Sequence, residues 1–296
     1  MSKWIEAARL RTLPLSFASI ILGTFLAKDQ GFFDPITLIL ALLTTLFYQV
    51  LSNYANDYGD GVKGTDDTRV GEARAVASGA ISAAMMRKAV AIMALLSFVS
   101  GTTLSIWATR SLDWTVTLTF IILGILAILA AITYTVGKRA YGYSGLGDLS
   151  VVLFFGFVGV GGSFFLQAGI LDYSILLPAA SLGLLATGVL NLNNMRDIDN
   201  DRAAGKRTLV VLMGLSRAKI YHGFLLILAF DLAFLFNRLK PDNLWQNLYF
   251  ICIPFLILNL LKVNKAKAAA DFEPLLKQLA LTSLLFALSF GLGRIL

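Results

Sequence analysis

The sequence predicts an all-α polytopic membrane protein with about nine transmembrane helices, and three observations predict it. Of its 296 residues, 57% are apolar and only 15% charged, whereas soluble globular chains run at about 45–50% and 25%. The mean hydropathy is +0.75. Apolar stretches of about 17–25 residues, long enough to cross a bilayer as helices, recur along the whole chain. This composition excludes disorder, a disulfide scaffold and a soluble α/β enzyme. The single cysteine, Cys252, lies in an apolar run and excludes an intrachain disulfide.

The spans are expected near 12–28, 36–56, 89–109, 114–136, 148–171, 174–194, 219–237, 244–262 and 275–293. The first follows Lys3, Arg9 and Arg11, a start like that of a signal peptide, but no small-residue cleavage site follows, so it reads as a retained helix. The second and sixth end in clusters of Asn and Asp. In the fifth, Gly156, Gly159, Gly161 and Gly162 are expected to permit close helix packing, with Phe154, Phe155, Phe164 and Phe165 as packing residues. The seventh holds the only histidine, His222, and an acid, Asp231; a lone histidine excludes a histidine metal cluster and a Ser/His/Asp triad. Inside a span an acid is a functional candidate by default, and Asp231 is read here as one side of an interhelical hydrogen bond. Alternation with period two over about ten residues, the mark of a membrane barrel, does not recur.

With the N-terminus in the cytoplasm, 20 of the 25 basic residues fall on that side; Lys28, Arg110, Arg238, Lys240 and Arg294 fall on the other. This positive-inside bias accounts for the net charge of +7 without nucleic acid. Arg87, Lys88, Lys219 and Lys265 are read as orientation charges of this kind.

The acids obey no such rule. Asn53, Asp57 and Asp60 lie within roughly 60° of one another at 100° per residue, and Asn194, Asp197 and Asp201 repeat the arrangement at the end of the sixth span. The clusters are four spans apart, which suggests two parallel four-helix repeats, about 12–136 and 148–262, with a last helix at about 275–293, in one domain. Like charges held this close repel, and burial raises the penalty, so a divalent cation is their natural partner. Mg²⁺ takes one or two carboxylates with water and phosphate oxygens, and the interleaved Lys63, Arg69, Arg74, Lys138, Arg139, Lys206 and Arg207 suit a departing diphosphate. An EF-hand is excluded, because the twelfth position from Asp57 is Thr68 rather than Glu.

These residues resemble the UbiA superfamily of intramembrane aromatic prenyltransferases, whose motifs match here as Asn56-Asp57-x2-Asp60, Tyr134-Thr-Val-Gly-Lys138 and Asp197-x3-Asp201. The general first motif has a further acid where this chain has Gly64; Asp66 and Asp67 are the nearest carboxylates. That variant resembles the menaquinone branch of the family, as do Arg69-x-Gly71 through Arg74, Ser78-Gly79, Gly145-Leu-Gly147-Asp148, Gln167, Ala204-Gly205-Lys206-x-Thr208-Leu209 and, near the start, Arg9-Leu-Arg11-Thr12-Leu13-Pro14.

The resemblance implies a UbiA-type bundle. It implies two Mg²⁺ ions held by Asp57, Asp60, Asp197 and Asp201, with Asp66 left open, and a polyprenyl diphosphate bound among Asn53, Asn56, Lys63, Arg69, Arg74, Tyr134, Arg139, Asn194, Arg196 and Lys206. Lys138 joins the four acids as a catalytic residue that handles the diphosphate. It implies 1,4-dihydroxy-2-naphthoate as acceptor, with loss of CO2, in a multi-pass cytoplasmic (inner) membrane protein whose N-terminus and active site face the cytoplasm. Membrane lipid is the expected surrounding; nucleic acid is not a partner. The competing acceptors are 4-hydroxybenzoate and homogentisate. A cation-coupled secondary transporter is the competing class, disfavoured because both clusters sit at helix ends rather than near the bilayer midplane. Asp148 is a second-rank site candidate.

Overall fold

The computed structural model describes residues 3–64, 74–137 and 140–296. Asp66, Arg69, Lys138 and Arg139 lie outside the described residues. Within them there is no strand, and nine helical segments are long and apolar enough to cross a membrane. They are α1 (Leu13–Asp29), α2 (Pro35–Lys63), α3 (Ala83–Ala108), α4 (Trp114–Thr133), α5 (Gly147–Ala168), α6 (Leu176–Arg196), α7 (Leu215–Leu239), α8 (Leu244–Lys265) and α9 (Ala269–Ile295).

Local chemistry sets the ends. The Asp34 side chain accepts from the Ile36 amide at 3.0 Å and caps α2, with Pro35 in the first turn. Ser82 and Asp113 cap α3 and α4 in the same way. Gly64, at φ 70°, closes α2 in the left-handed region that a side chain disfavours. The helix therefore runs beyond the expected end at 56 and carries the acids with it.

The span α5 is not a uniform α-helix, because Val152–Gly161 forms a π-helix between two α-helical pieces. Its glycines bring neighbours close: a Cβ on Gly156 would lie 2.6 Å from the Ala179 carbonyl oxygen of α6, and one on Gly159 would lie 2.7 Å from Ser19 of α1. Gly161 and Gly162 face nothing within 4 Å, so the packing expectation holds for the first pair only. Phe164 is buried in the core, and Phe165 stacks on Phe120 with ring centroids 5.2 Å apart.

The largest hydrophobic cluster joins α1 to α5 through α9, while α2, α3 and α4 pack with the N-terminal helix Lys3–Ala8 around a second. At the centre of the larger cluster, α6 buries most of its length. Polar side chains there bond across the helix pair, Ser181 donating to the Ala229 carbonyl at 2.6 Å and the Asn191 amide nitrogen to that of Ala218 at 3.0 Å. His222 is fully buried and pairs with Asn259 at 2.9 Å; the Asn259 amide donates in turn to Leu275 and Gln278, which ties α7, α8 and α9 together.

Asp231 departs from expectation. It is exposed on the outer face of α7, with Ile227 and Phe234 beside it, and makes no interhelical hydrogen bond among the described residues. A carboxylate on that face meets lipid rather than a neighbouring helix.

The end of the bundle remote from the Asn/Asp clusters is closed by ion pairs. Arg294 holds Asp29 at 2.8 Å, Lys240 holds Asp172 at 2.5 Å, and Arg110 lies 3.4 Å from Asp34. Gln167 belongs here as well: its side chain accepts from the Asp34 amide and donates to the Asp34 carbonyl. Partial burial raises the Asp172 carboxyl, but hydrogen bonds from Lys240, Ser174 and Gln30 outweigh this and hold it below the usual carboxylate range.

Candidate active site

Two helix ends build the site. The last two turns of α2 present Asn56 and Asp60 on one flank of the acid-bearing face and Asp57 on the other. Helix α6 ends at Arg196, the backbone breaks at Asp197 (φ −96°, ψ 9°), and a short helix, Ile198–Ala203, carries Asn200 and Asp201. The expected single helical face for Asn194, Asp197 and Asp201 is thus interrupted. Aspartate suits such a break because its side chain competes for backbone groups that a helix interior needs.

Despite the break, the two acidic clusters meet. A cavity of about 130 Å³ is lined by Asn56 and Asp60 on one wall and by Asn193, Asn194, Asp197, Asn200 and Asp201 on the other, with Arg9, Arg74, Tyr134, Tyr143, Lys206 and Thr208 completing it. Lys206 stands between the walls, 3.2 Å from Asp60 and 3.7 Å from Asp201. Arg74 approaches Asp60 at 3.8 Å, and the Tyr143 hydroxyl donates to it at 2.7 Å. Asp60, Asp197 and Asp201 are each at most 7% exposed, so their charges interact in a medium that screens weakly.

Several expected residues stand beside the cavity rather than on its wall. Both oxygens of Asp57 accept backbone amides, Ala75 at 3.0 Å and Val76 at 2.9 Å, which anchors the segment that carries Arg74. Asn53 donates to the Ala8 carbonyl at 2.8 Å. Lys63 donates to the Thr135 carbonyl and lies 4.2 Å from the centre of the Tyr143 ring. Arg196 lines a separate cavity with Ile198, Asp199 and Arg202 and grips both oxygens of Asp197 at 2.8 and 2.9 Å. Asp148, the second-rank candidate, accepts from the Tyr221 hydroxyl at 3.0 Å.

The sequence reading gave no site role to Tyr143, Arg9, Asn193, Asn200 or Thr208. Tyr143 carried a signal, an aromatic residue in a glycine-rich loop just after the Tyr134-x3-Lys138 element. Arg9 opened the segment matched to the menaquinone branch. Its backbone marks it as well, as the one non-glycine residue among those described with a positive φ, at 48°, a conformation that costs free energy and gathers at functional sites.

Among the described residues no group of three Asp, Glu, His or Cys side chains is arranged to hold a metal ion by itself. The donors on the cavity walls are nonetheless hard oxygens, three carboxylates and several side-chain amides, with cations interleaved. Such a set does not fit an all-protein cage. It fits Mg²⁺ held by Asp60 from one wall and by Asp197 and Asp201 from the other, with phosphate oxygens and water supplying the remaining ligands.

Comparison with known proteins places the chain in a family. A 1,4-dihydroxy-2-naphthoate octaprenyltransferase of Escherichia coli K12 is 46% identical over 98% of this chain and 94% of its own length. A protein of the same name in Haemophilus influenzae is 44% identical over 100% of this chain and 96% of its own. The solved structure of a UbiA homologue from Archaeoglobus fulgidus bound to DMAPP and Mg²⁺ matches with a TM-score of 0.65, at 16% identity, over 97% of this chain and 98% of that one; at that identity the likeness concerns the fold alone. The profile of the UbiA prenyltransferase family spans residues 16–290 and takes in both walls of the cavity. The chain belongs to the UbiA prenyltransferase family.

Proposed function

We propose that this protein transfers a polyprenyl group from its diphosphate to 1,4-dihydroxy-2-naphthoate, with two Mg²⁺ ions and loss of CO2, giving demethylmenaquinol. The observation that carries the reading is the meeting of Asp60 with Asp197 and Asp201 across one cavity at one end of an apolar bundle. The naphthoate and the octaprenyl donor are supported by the names of relatives that are 44–46% identical over nearly the whole of both chains. Metal use is supported by the hard-oxygen donor set, and the Archaeoglobus homologue is itself bound to Mg²⁺ and DMAPP.

Asp60, Asp197 and Asp201, helped by Asn56 and Asn194, would hold the metal in this reading, and Asp57 acts one step back by anchoring the Arg74 segment. When bound, Mg²⁺ supplies positive charge to the diphosphate as the allylic C–O bond breaks. Arg74, Lys206 and Arg9 offer donors to the same oxygens and take up the charge that develops on the leaving group. Lys63 and Lys206 over the Tyr143 ring keep two ammonium groups within reach of it. The isoprenoid chain lies among the apolar helices, and the electron-rich naphthoate ring attacks the allylic carbon, losing its carboxyl group. The bias of basic residues supports a cytoplasmic (inner) membrane protein with the N-terminus and this cavity on the cytoplasmic side.

The test is mass spectrometry of the product formed by the purified protein in detergent with Mg²⁺, octaprenyl diphosphate and an equimolar mixture of 1,4-dihydroxy-2-naphthoate, 4-hydroxybenzoate and homogentisate. The decarboxylated octaprenyl naphthoquinol is expected, with activity abolished by EDTA and restored by Mg²⁺. Prenylated hydroxybenzoate or homogentisate as the main product would overturn the acceptor, and turnover in EDTA would overturn the metal.

A further inference from the structure

Arg196 is bound by three side chains, Asp197, Glu273 and Asn193, whose oxygen accepts from Nη2 at 2.6 Å. Its Nε and Nη2 hold the two oxygens of Asp197 at 2.8 and 2.9 Å, and its Nη1 donates to Oε2 of Glu273 in the first turns of α9. The other oxygen of Glu273 accepts from Arg11 at 3.0 Å. Arg11 belongs to the short segment Leu10–Thr12, whose neighbour Thr12 lies within reach of Asn53 at 3.4 Å. A chain of charged groups therefore runs from the N-terminal segment through the ninth helix to the cavity acid Asp197. Of its members Arg196 and Asp197 are buried, at 5% and 7% side-chain exposure, and Glu273 is partly exposed at 36%. Glu273 is not among the residues that line the cavity.

We infer that Glu273 is a positioning residue that sets how tightly Arg196 holds Asp197, and so how well Asp197 binds a divalent cation. This rests on the metal reading given above. A guanidinium whose only anionic partner is Asp197 competes with a cation for that carboxylate at full strength. Glu273 takes a share of the Arg196 charge and fixes its plane. Asp197 is then aimed into the cavity by its neighbour and still able to bind a dication. The ninth helix, which lies outside both expected repeats, thereby completes the second acidic cluster. Groups one step behind metal ligands tune affinity in this way, and their loss costs about 10-fold or more.

The test is direct binding of Mn²⁺, followed by the EPR signal of the free ion, to the full chain purified in detergent without substrate, alongside Mg²⁺ dependence of turnover and the melting temperature. Glu273→Gln keeps size and removes charge. It is expected to weaken Mn²⁺ binding by about 10-fold and to raise the Mg²⁺ requirement, with kcat at saturating Mg²⁺ and the melting temperature close to wild type. Glu273→Asp, which keeps the charge, should restore most of the affinity. In an Arg196→Met background, adding Glu273→Gln should change binding less than about twofold, since coupled neighbours are non-additive; fully additive losses would overturn the relay. Wild type and Glu273→Gln binding Mn²⁺ alike would overturn it too, as would a large fall in melting temperature with affinity retained, the signature of a purely structural contact. A wild-type protein that binds no Mn²⁺ either alone or with inorganic pyrophosphate present would instead overturn the metal reading itself.

Discussion

The Tyr143 hydroxyl donates to Oδ1 of Asp60 across 2.7 Å, which joins the loop after α4 to the acid face of α2. The same ring lies 4.2 Å from the Lys63 ammonium and 4.9 Å from that of Lys206. One aromatic side chain thus orients a carboxylate with its edge and steadies two cations with its faces.

Tyr143→Phe keeps the ring and deletes the donor. A hydrogen bond to a charged group is worth about 1.5–3 kcal/mol, so kcat/KM for the prenyl donor should fall about tenfold or more. Steady-state kinetics in detergent checks this, and Tyr143→Leu, which also removes the cation–π contacts, should lose more.

Asp57 and Asp60 should separate on substitution. Asp57→Asn leaves the Ala75 or Val76 amide without an acceptor, and a buried unsatisfied group costs about 1–3 kcal/mol; a lower melting temperature and a weakened KM for the diphosphate are expected. Asp60→Asn should leave the melting temperature near wild type and abolish Mg²⁺-dependent turnover. Differential scanning fluorimetry beside a radiolabelled transfer assay distinguishes the two.

Asp231 faces outward on α7 with apolar neighbours. An acid within a span costs roughly 2.5–3.5 kcal/mol on insertion scales, so Asp231→Leu should raise the melting temperature and leave kcat and KM unchanged. Loss of activity with the fold intact would show that this face serves the reaction.

The remote end should titrate through Asp172. Its carboxyl is held below the usual range in the folded protein, so its contribution to stability is complete above the unfolded carboxylate value of about 3.9 and is lost as pH falls from there toward the folded value. Asp172→Asn should lower the melting temperature at neutral pH and flatten its decline on acidification below pH 4. A variant curve parallel to wild type would remove Asp172 from that decline.

The nine helices were legible because length and hydropathy decide them almost alone, and the two acidic clusters because a bilayer protein has few acids to confuse them with. The division of labour between Asp57 and Asp60 was not. At 100° per residue both lie on one face, and which flank meets the cavity depends on where the segment from Arg74 onward docks. The Arg11–Glu273 contact joins positions 262 apart in sequence, and no local pattern announces it. Gln167, matched to the menaquinone branch by resemblance, turns out to brace Asp34 at the far end, a role that its position in the fifth span did not reveal.

The ion pairs that close the end remote from the cavity have a consequence for energetics. With Arg294, Lys240 and Arg110 tied up in ion pairs at that end, the proposed reaction takes in the diphosphate and the naphthoate, and releases diphosphate, at the cavity end alone. In the proposed reaction no charged species crosses the bilayer, so the membrane potential has nothing to act on. Turnover in sealed vesicles would draw no current and run at the same rate whether or not the membrane is energised.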